Sequence, residues 1–296
     1  MSGLKAAAVI AMAAGFFAAS TALAAEAPMK DCNGFPCVDV RTADGATLRL
    51  AIDTGDAVSV LDAAKAKAMG LVIEPAKDKS GKPVPGFLMS KLTGLMLGGE
   101  PIGDAKFLIQ DLSKDITGGI FPHADGSIAY TTLKSKLLTL DYKRHVVRLA
   151  DAPSDVPCAT ACGTITYPTF GHRGPPIVVT TGFRVNGQDV SVQVDTLYGG
   201  TMLIYPTSVD KLGLASEAAS KIMDNFPFTD GGVDMIRGQA AGESFEAKTL
   251  LTHAPLYFAT PKVHLPDGMF DGTVGAALFA GHVVNLDFRG NRFWLE

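Results

Sequence analysis

Two acidic residues, Asp53 and Asp195, stand in matching surroundings in the two halves of the chain. Asp53 ends an alternating run in which Leu48, Leu50 and Ile52 face one way and Arg49, Ala51 and Asp53 the other, the period of a half-buried strand. Asp195 ends a second such run, in which Val190, Val192 and Val194 alternate with Asp189, Ser191, Gln193 and Asp195. Each acid is followed by a threonine (Thr54, Thr196), an apolar run and a short predicted helix. The first helix spans residues 61–69, with Asp62 as N-cap and Gly70 as a left-handed C-terminal cap. The second opens at Pro206, a favoured first helical residue, and Gly213-Leu214 close it as Gly70-Leu71 close the first. Gly55 lets the backbone turn sharply after Asp53. Two carboxylates on rigid strand ends in equivalent frames point to one pair shared between two lobes. Two such groups a few Å apart cannot both stay ionised, so they hold a single proton between them.

The elements that must position this pair are themselves duplicated. Residues 125–149 (DGSIAYTTLKSKLLTLDYKRHVVRL) align without a gap with residues 271–295 (DGTVGAALFAGHVVNLDFRGNRFWL). Leu140-Asp141-Tyr142 matches Leu286-Asp287-Phe288, and each copy reads as a tight turn, a short helix and a hairpin. Upstream, residues 37–40 and 47–53 read as paired strands around the turn Thr42-Ala43-Asp44-Gly45, and residues 92–97 and 105–109 as a hairpin around Gly98-Gly99. Residues 75–90 carry Lys, Pro and Gly without periodicity and are expected to form an exposed loop. The expected organisation is a signal peptide (1–25), a first lobe (26–150), a linker (151–162) and a second lobe (163–296). The fold class is mainly β: two homologous β domains facing each other across a pseudo-twofold axis.

Composition narrows the classes further. Hydrophobic residues make up 47% of the 296 and charged residues 19%, a globular balance. A net charge of −4 with interspersed signs gives no footprint for nucleic acid. Lys5, the apolar residues 6–18 and Ala22-Leu23-Ala24 have the order of a cleavable secretory signal, so the protein is expected to be periplasmic or secreted. No later stretch approaches the length of a membrane span, and a monomer is expected. Export permits disulfides, and the four cysteines fall in two close pairs, Cys32 with Cys37 and Cys158 with Cys162, bonded locally or crosswise. The six histidines are scattered without His-Glu-x-x-His spacing, and no Gly-x-Ser-x-Gly elbow or phosphate-cradling loop occurs, so neither metal nor cofactor is expected. Asp125, Asp271, Asp141 and Asp287 read as turn residues, Trp294 as a packed residue of the last strand, and Phe226-Pro227-Phe228 as a loop anchored on core aromatics.

Ile52-Asp53-Thr54-Gly55, the helix ending Met69-Gly70-Leu71 and the later Asp-Gly segment leading to Leu140-Asp141-Tyr142 resemble a lobe of the aspartic peptidases, in local style the bacterial retropepsin-like group. With the tandem lobes, the resemblance implies a pepsin-like single-chain arrangement, a bilobal acid-protease-like fold of two homologous β-barrel-like lobes about a pseudo-twofold axis. By this resemblance Asp53 and Asp195 meet at the floor of an interlobe cleft that takes an extended polypeptide. One ionised carboxylate takes a proton from a bound water, while its protonated partner bonds the scissile carbonyl. Thr54 and Thr196 correspond to threonines that bond across the lobes, Gly55 to a glycine whose backbone nears the acids, and residues 75–100 to a covering flap whose only aromatic here is Phe87. Ser127-Ile128-Ala129 and Thr273-Val274-Gly275 correspond to the segments that brace each acid loop.

Three positions depart from the pattern. Leu197 stands in place of the second glycine, where its side chain is expected to open the loop or displace Asp195; if the site needs positive φ, the strain is about 1–3 kcal/mol. Asp56 adds a third acid, expected to raise the pair's apparent pKa values unless it points into solvent. Ala129 replaces another glycine. The resemblance thus implies an aspartic endopeptidase, with a peptide-binding protein impaired in turnover, or a purely structural envelope protein, as the alternatives.

Overall fold

The computed structural model describes residues 25–114, 123–151, 162–169, 174–215 and 269–296, together with five strands between 222 and 259. Most of the expected signal peptide and linker, Cys158 and Pro227-Phe228 lie outside the described residues.

The chain is mainly β, and its two halves build the same core motif. In the first, the acid strand Thr47–Asp53 pairs in parallel with Gly126–Ala129, which pairs antiparallel with Ser59–Asp62. In the second, Gln188–Val194 pairs in parallel with Gly272–Val274, which pairs antiparallel with Met202–Ile204. The alternation read from sequence is the physical cause. Leu48, Leu50 and Ile52, like Val190, Val192 and Val194, are buried in one continuous hydrophobic cluster, which leaves the opposite face of each strand to the acid.

Each acid strand is locked ahead of its acid by the aspartate that opens the duplicated segment of its own half. Arg49 N–H donates to Asp125 Oδ2 at 2.9 Å while Asp125 N–H donates to the Arg49 carbonyl at 2.7 Å. Ser191 and Asp271 repeat the exchange at 2.9 and 2.6 Å. Asp125 and Asp271 are therefore braces between strands as well as turn residues, and each is closed by a lysine, Lys65 at 3.0 Å and Lys211 at 2.8 Å.

The halves join through the hairpins that end each repeat. Leu137–Asp141 pairs antiparallel with Val283–Asp287 in a register that sets Thr139 opposite Asn285, its own counterpart in the duplicated sequence. Thr139 Oγ1 donates to Asn285 Oδ1 at 2.8 Å, and a pseudo-twofold axis passes between them. Asp141 and Asp287 take hairpin-turn roles, accepting from Arg144 N–H and Gly290 N–H. Asp141 pairs with Arg148 at 3.1 Å and with Arg144 at 3.9 Å, and Asp287 with Arg292. Trp294 packs beside Leu137 and Cys162, with Nε1 donating to Glu296 at 2.8 Å.

Both helices sit where the caps place them. Asp62 accepts from Ala64 and Lys65 N–H at the start of Ala63–Ala68, and Pro206 opens Pro206–Val209. Gly70 and Gly213 follow with φ of 64° and 67°. The first helix starts two residues later than expected because Ser59–Asp62 is taken up as a strand.

The expected exposed loop at 75–90 is instead a hairpin. Glu74–Lys77 pairs with the first part of the long strand Pro83–Leu97, and Asp78 closes the turn by accepting from Ser80 and Lys82. Alternation fails here because both faces of the hairpin meet solvent, with Phe87 and Leu88 exposed, and Glu74–Lys77 lies at the sheet edge, where proline is tolerated. Among the described residues no helix is long and apolar enough to cross a membrane.

Candidate active site

The two acid loops meet at the junction of the halves, held by a reciprocal pair of threonines. Thr54 N–H donates to Thr196 Oγ1 and Thr196 N–H donates to Thr54 Oγ1, both at 3.1 Å. Each hydroxyl then donates onward to the strand of the opposite half, Thr54 Oγ1 to the Val194 carbonyl at 2.8 Å and Thr196 Oγ1 to the Ile52 carbonyl. Both residues are fully buried, and the N–H and hydroxyl of each has a partner from the other half. That is the arrangement in which buried polar groups stabilise rather than cost.

The knot sets the Asp195 carboxyl against the loop that carries Asp53. Asp53 Oδ1 accepts from Gly55 and Asp56 N–H, both at 3.0 Å. Asp195 Oδ1 accepts from Leu197 N–H at 2.9 Å and Tyr198 N–H at 3.1 Å. Gly55 lies flat against the Asp195 carboxyl, so that a Cβ on it would stand 2.3 Å from Asp195 Cγ. Burial, then the neighbouring Asp195 and Asp56 carboxylates, hold Asp53 well above the usual carboxylate range, against the pull of its two N–H donors. Burial pushes Asp195 up to about 6, opposed by the Leu197 and Tyr198 N–H groups and assisted by Asp56. Both groups nevertheless keep some solvent access. Asp53 is thus a largely buried carboxyl beside a second carboxyl, each held by two backbone N–H donors of its own loop.

The departures from the expected motif are accommodated individually. Among the described residues, positive φ at a non-glycine occurs at Asn33, His145, Asn186 and Asn291, so Leu197 carries no left-handed strain. Gly55 has no positive φ either; what the position requires is closeness to the opposite acid. Leu197 turns across the junction and packs in an apolar nook with Ala51, Ala124, Phe35 and the disulfide Cys32–Cys37. Cys162 is disulfide-bonded as well. Asp56 is exposed and folds onto its own loop, its Oδ1 accepting from Ala57 N–H at 2.6 Å and Val58 N–H at 3.1 Å, yet its charge still reaches both acids. At the matching position Tyr198 is buried, and Gly275 leaves the room: a Cβ there would stand 2.1 Å from the Tyr198 carbonyl and 2.7 Å from its ring. In the first half the small, outward Asp56 removes that demand, and Ala129 fits.

One polar residue of the site was missed from sequence. Gln193, two positions before Asp195 and on the same strand face, extends Nε2 to the Gly55 carbonyl at 2.9 Å. The period-two pattern contained this signal, because a polar residue on the acid's face of a strand shares the acid's surroundings. A separate cleft of about 630 Å³ beside the exposed hairpin is lined by Val72, Glu74, Lys77, Met89, Lys91 and Lys106, none of which belongs to an acid loop.

No protein-family model matches the sequence, and no curated protein matches it. Solved structures do. An aspartic proteinase from Irpex lacteus is similar over 92% of this chain and 97% of its own, with 15% identity and a TM-score of 0.52. Basic 7S globulin from soybean is similar over 92% and 93%, with 10% identity and a TM-score of 0.45. The chain has the bilobal fold of the aspartic proteinase.

Proposed function

We propose that this protein is an exported aspartic endopeptidase in which Asp53 and Asp195 jointly activate water against a peptide bond. The observation that carries the reading is the threonine knot. Two acid loops from remote parts of the sequence exchange hydrogen bonds, and the Asp195 carboxylate helps to hold Asp53 above the usual carboxylate range, which supports one proton shared by the pair. The ionised partner removes a proton from water as the water oxygen bonds to the scissile carbon, and the protonated partner donates its proton to the carbonyl oxygen; as the C–N bond breaks, the first acid passes the water's proton to the leaving amine and a gem-diol hydroxyl returns a proton to the second. The polypeptide lies extended between the halves, held by strand-like backbone hydrogen bonds. Thr54, Thr196 and Gly55 position the pair. Export is supported by the sequence of residues 1–25 and by the disulfide-bonded cysteines.

The test is incubation of the mature protein with an unfolded polypeptide in ¹⁸O-labelled water across about pH 3 to 7. The expected result is acid-favoured fragmentation, with label in each new carboxyl terminus and no enzyme adduct by mass. Absence of fragments throughout the range overturns the reading.

A second reading, a peptide-binding protein without turnover, is favoured by one observation: the residue opposite Gly55 in the second loop has a side chain, so the two acids are not symmetrically approached. Leu197→Gly separates the two. The endopeptidase reading expects a change in kcat of no more than about fivefold, since Leu197 is housed by Ala51 and the disulfide without strain. A rise of about a hundredfold from a silent wild type would establish the second reading instead.

A further inference from the structure

The acid loops are tied across the junction by unlike contacts. Leu197 enters an apolar nook of the first half, whereas Gly55 is gripped by a polar chain from the second. That chain has a fixed direction. The Gly55 carbonyl is an acceptor only, so the Gln193 group facing it at 2.9 Å is the amide N–H, and Oε1 is left to face Thr273. Thr273 Oγ1 donates to Gln193 Oε1 at 3.4 Å, which makes the Tyr205 hydroxyl the donor in its 2.8 Å contact with Thr273. Thr273 and Tyr205 are buried, and Gln193 is half-buried.

The carbonyl that Gln193 grips belongs to the same peptide group as the N–H of Asp56, and that N–H donates to Asp53 Oδ1 at 3.0 Å. Donation to the oxygen of a peptide polarises it and strengthens its N–H as a donor. From these contacts we infer that Gln193 is a positioning residue for Asp53. Acting through the Gly55–Asp56 peptide, it orients and strengthens the hydrogen bond that stabilises the Asp53 carboxylate, under control of the Tyr205–Thr273 pair in the opposite half.

The inference rests on the peptidase reading for its use, but not for its measurement. The charged and titratable groups facing Asp53 are Asp195 and Asp56. Tyr130 lies within reach of Asp56, and Tyr198 and Tyr205 within reach of Asp195. None is changed by a substitution at Gln193.

The experiment is a ¹³Cγ-aspartate NMR titration of the mature protein, wild type against Gln193→Leu, beside the pH profile of cleavage. Loss of a donor that favours the charged form raises a carboxyl pKa, so the Asp53 titration is expected to move up by about half a pH unit or more. kcat is expected to fall about tenfold with KM within about twofold. Thr273→Val, which removes the donor to Gln193 Oε1, moves the titration the same way by less. Gln193→Glu can donate to the Gly55 carbonyl only while its carboxyl is protonated, so its activity is retained at acid pH and lost on the alkaline side before that of wild type. An unchanged Asp53 titration in a folded Gln193→Leu protein, or in a folded Thr273→Val protein should the first not fold, overturns the inference. Failure of the peptidase reading shows separately, as absence of cleavage by wild type while the titrations remain readable.

Discussion

Asp53→Asn and Asp195→Asn each abolish cleavage of an unfolded polypeptide at acid pH, by at least about 10³-fold in kcat/KM, and neither unfolds the protein. Asparagine keeps the acceptor oxygen that each acid offers its own loop, so the hydrogen bonds from Gly55, Asp56, Leu197 and Tyr198 N–H survive. What is lost is the shared proton. With one acid replaced, the remaining carboxyl cannot be base and acid at the same time.

The same substitutions stabilise the fold at neutral pH. In the unfolded chain both carboxyls titrate near 3.8, whereas the folded molecule holds Asp53 well above that and Asp195 at about 6. The folded state therefore binds protons more tightly. Its stability from this pair is complete below about pH 3.8 and is lost as pH rises through about 6. Relative to wild type, Asp195→Asn gains on the order of 2 kcal/mol of unfolding free energy between about pH 4 and 7. Denaturant unfolding at the two pH values measures it. Wild-type activity in either asparagine variant, or a stability difference that does not grow with pH, contradicts the assignment.

Gly55→Ala is the second large effect, and its cause is space, not conformation. Gly55 lacks positive φ, but its missing Cβ would stand 2.3 Å from Asp195 Cγ and 2.5 Å from both carboxylate oxygens. Neither neighbour yields easily. Gly55 is fixed through its N–H to Asp53 and its carbonyl to Gln193, and Asp195 through two backbone donors. The methyl group therefore drives the carboxylates apart by about 1 Å or more, which costs about 10²-fold in kcat. Overpacking at the junction removes a further 1–3 kcal/mol or so of stability. Steady-state kinetics and thermal melting read both. A variant with unchanged kcat would show that the closeness of Gly55 to Asp195 has no part in turnover.

The frame of the site was legible because period-two alternation and cap chemistry are local. Leu48 to Ile52 and Val190 to Val194 announced the acid strands, and Asp62, Gly70, Pro206 and Gly213 the helices. The duplication announced that two strand ends share one geometry, and the axis through Thr139 and Asn285 follows from it. Contacts between the halves were harder to read, since neither half's pattern records what the other presents. Leu197 looked damaging while Ala51 and the disulfide that house it stood far away in sequence. Ala129 looked like a lost glycine until Tyr198, the residue that Gly275 makes room for, had its place beside it. The hairpin at residues 74–89 was hidden by its own exposure, with no buried face to impose alternation. Asn33-Gly34, with φ of 57° and 90°, forms a two-residue turn between Lys30–Cys32 and Phe35–Arg41, the residue pair that such a hairpin favours.

The most direct measurement is the Asp53 titration, followed by ¹³Cγ NMR, in wild type and in Asp195→Asn. Burial and the Asp56 carboxylate are common to both proteins, so the difference isolates Asp195. Sharing of one proton requires that the Asp53 titration move to lower pH, by about one unit or more, once its partner can no longer carry charge. A titration that stays where it was would mean that the two carboxyls ionise independently, and the protein would then lack the joint acid and base on which the proposed chemistry depends.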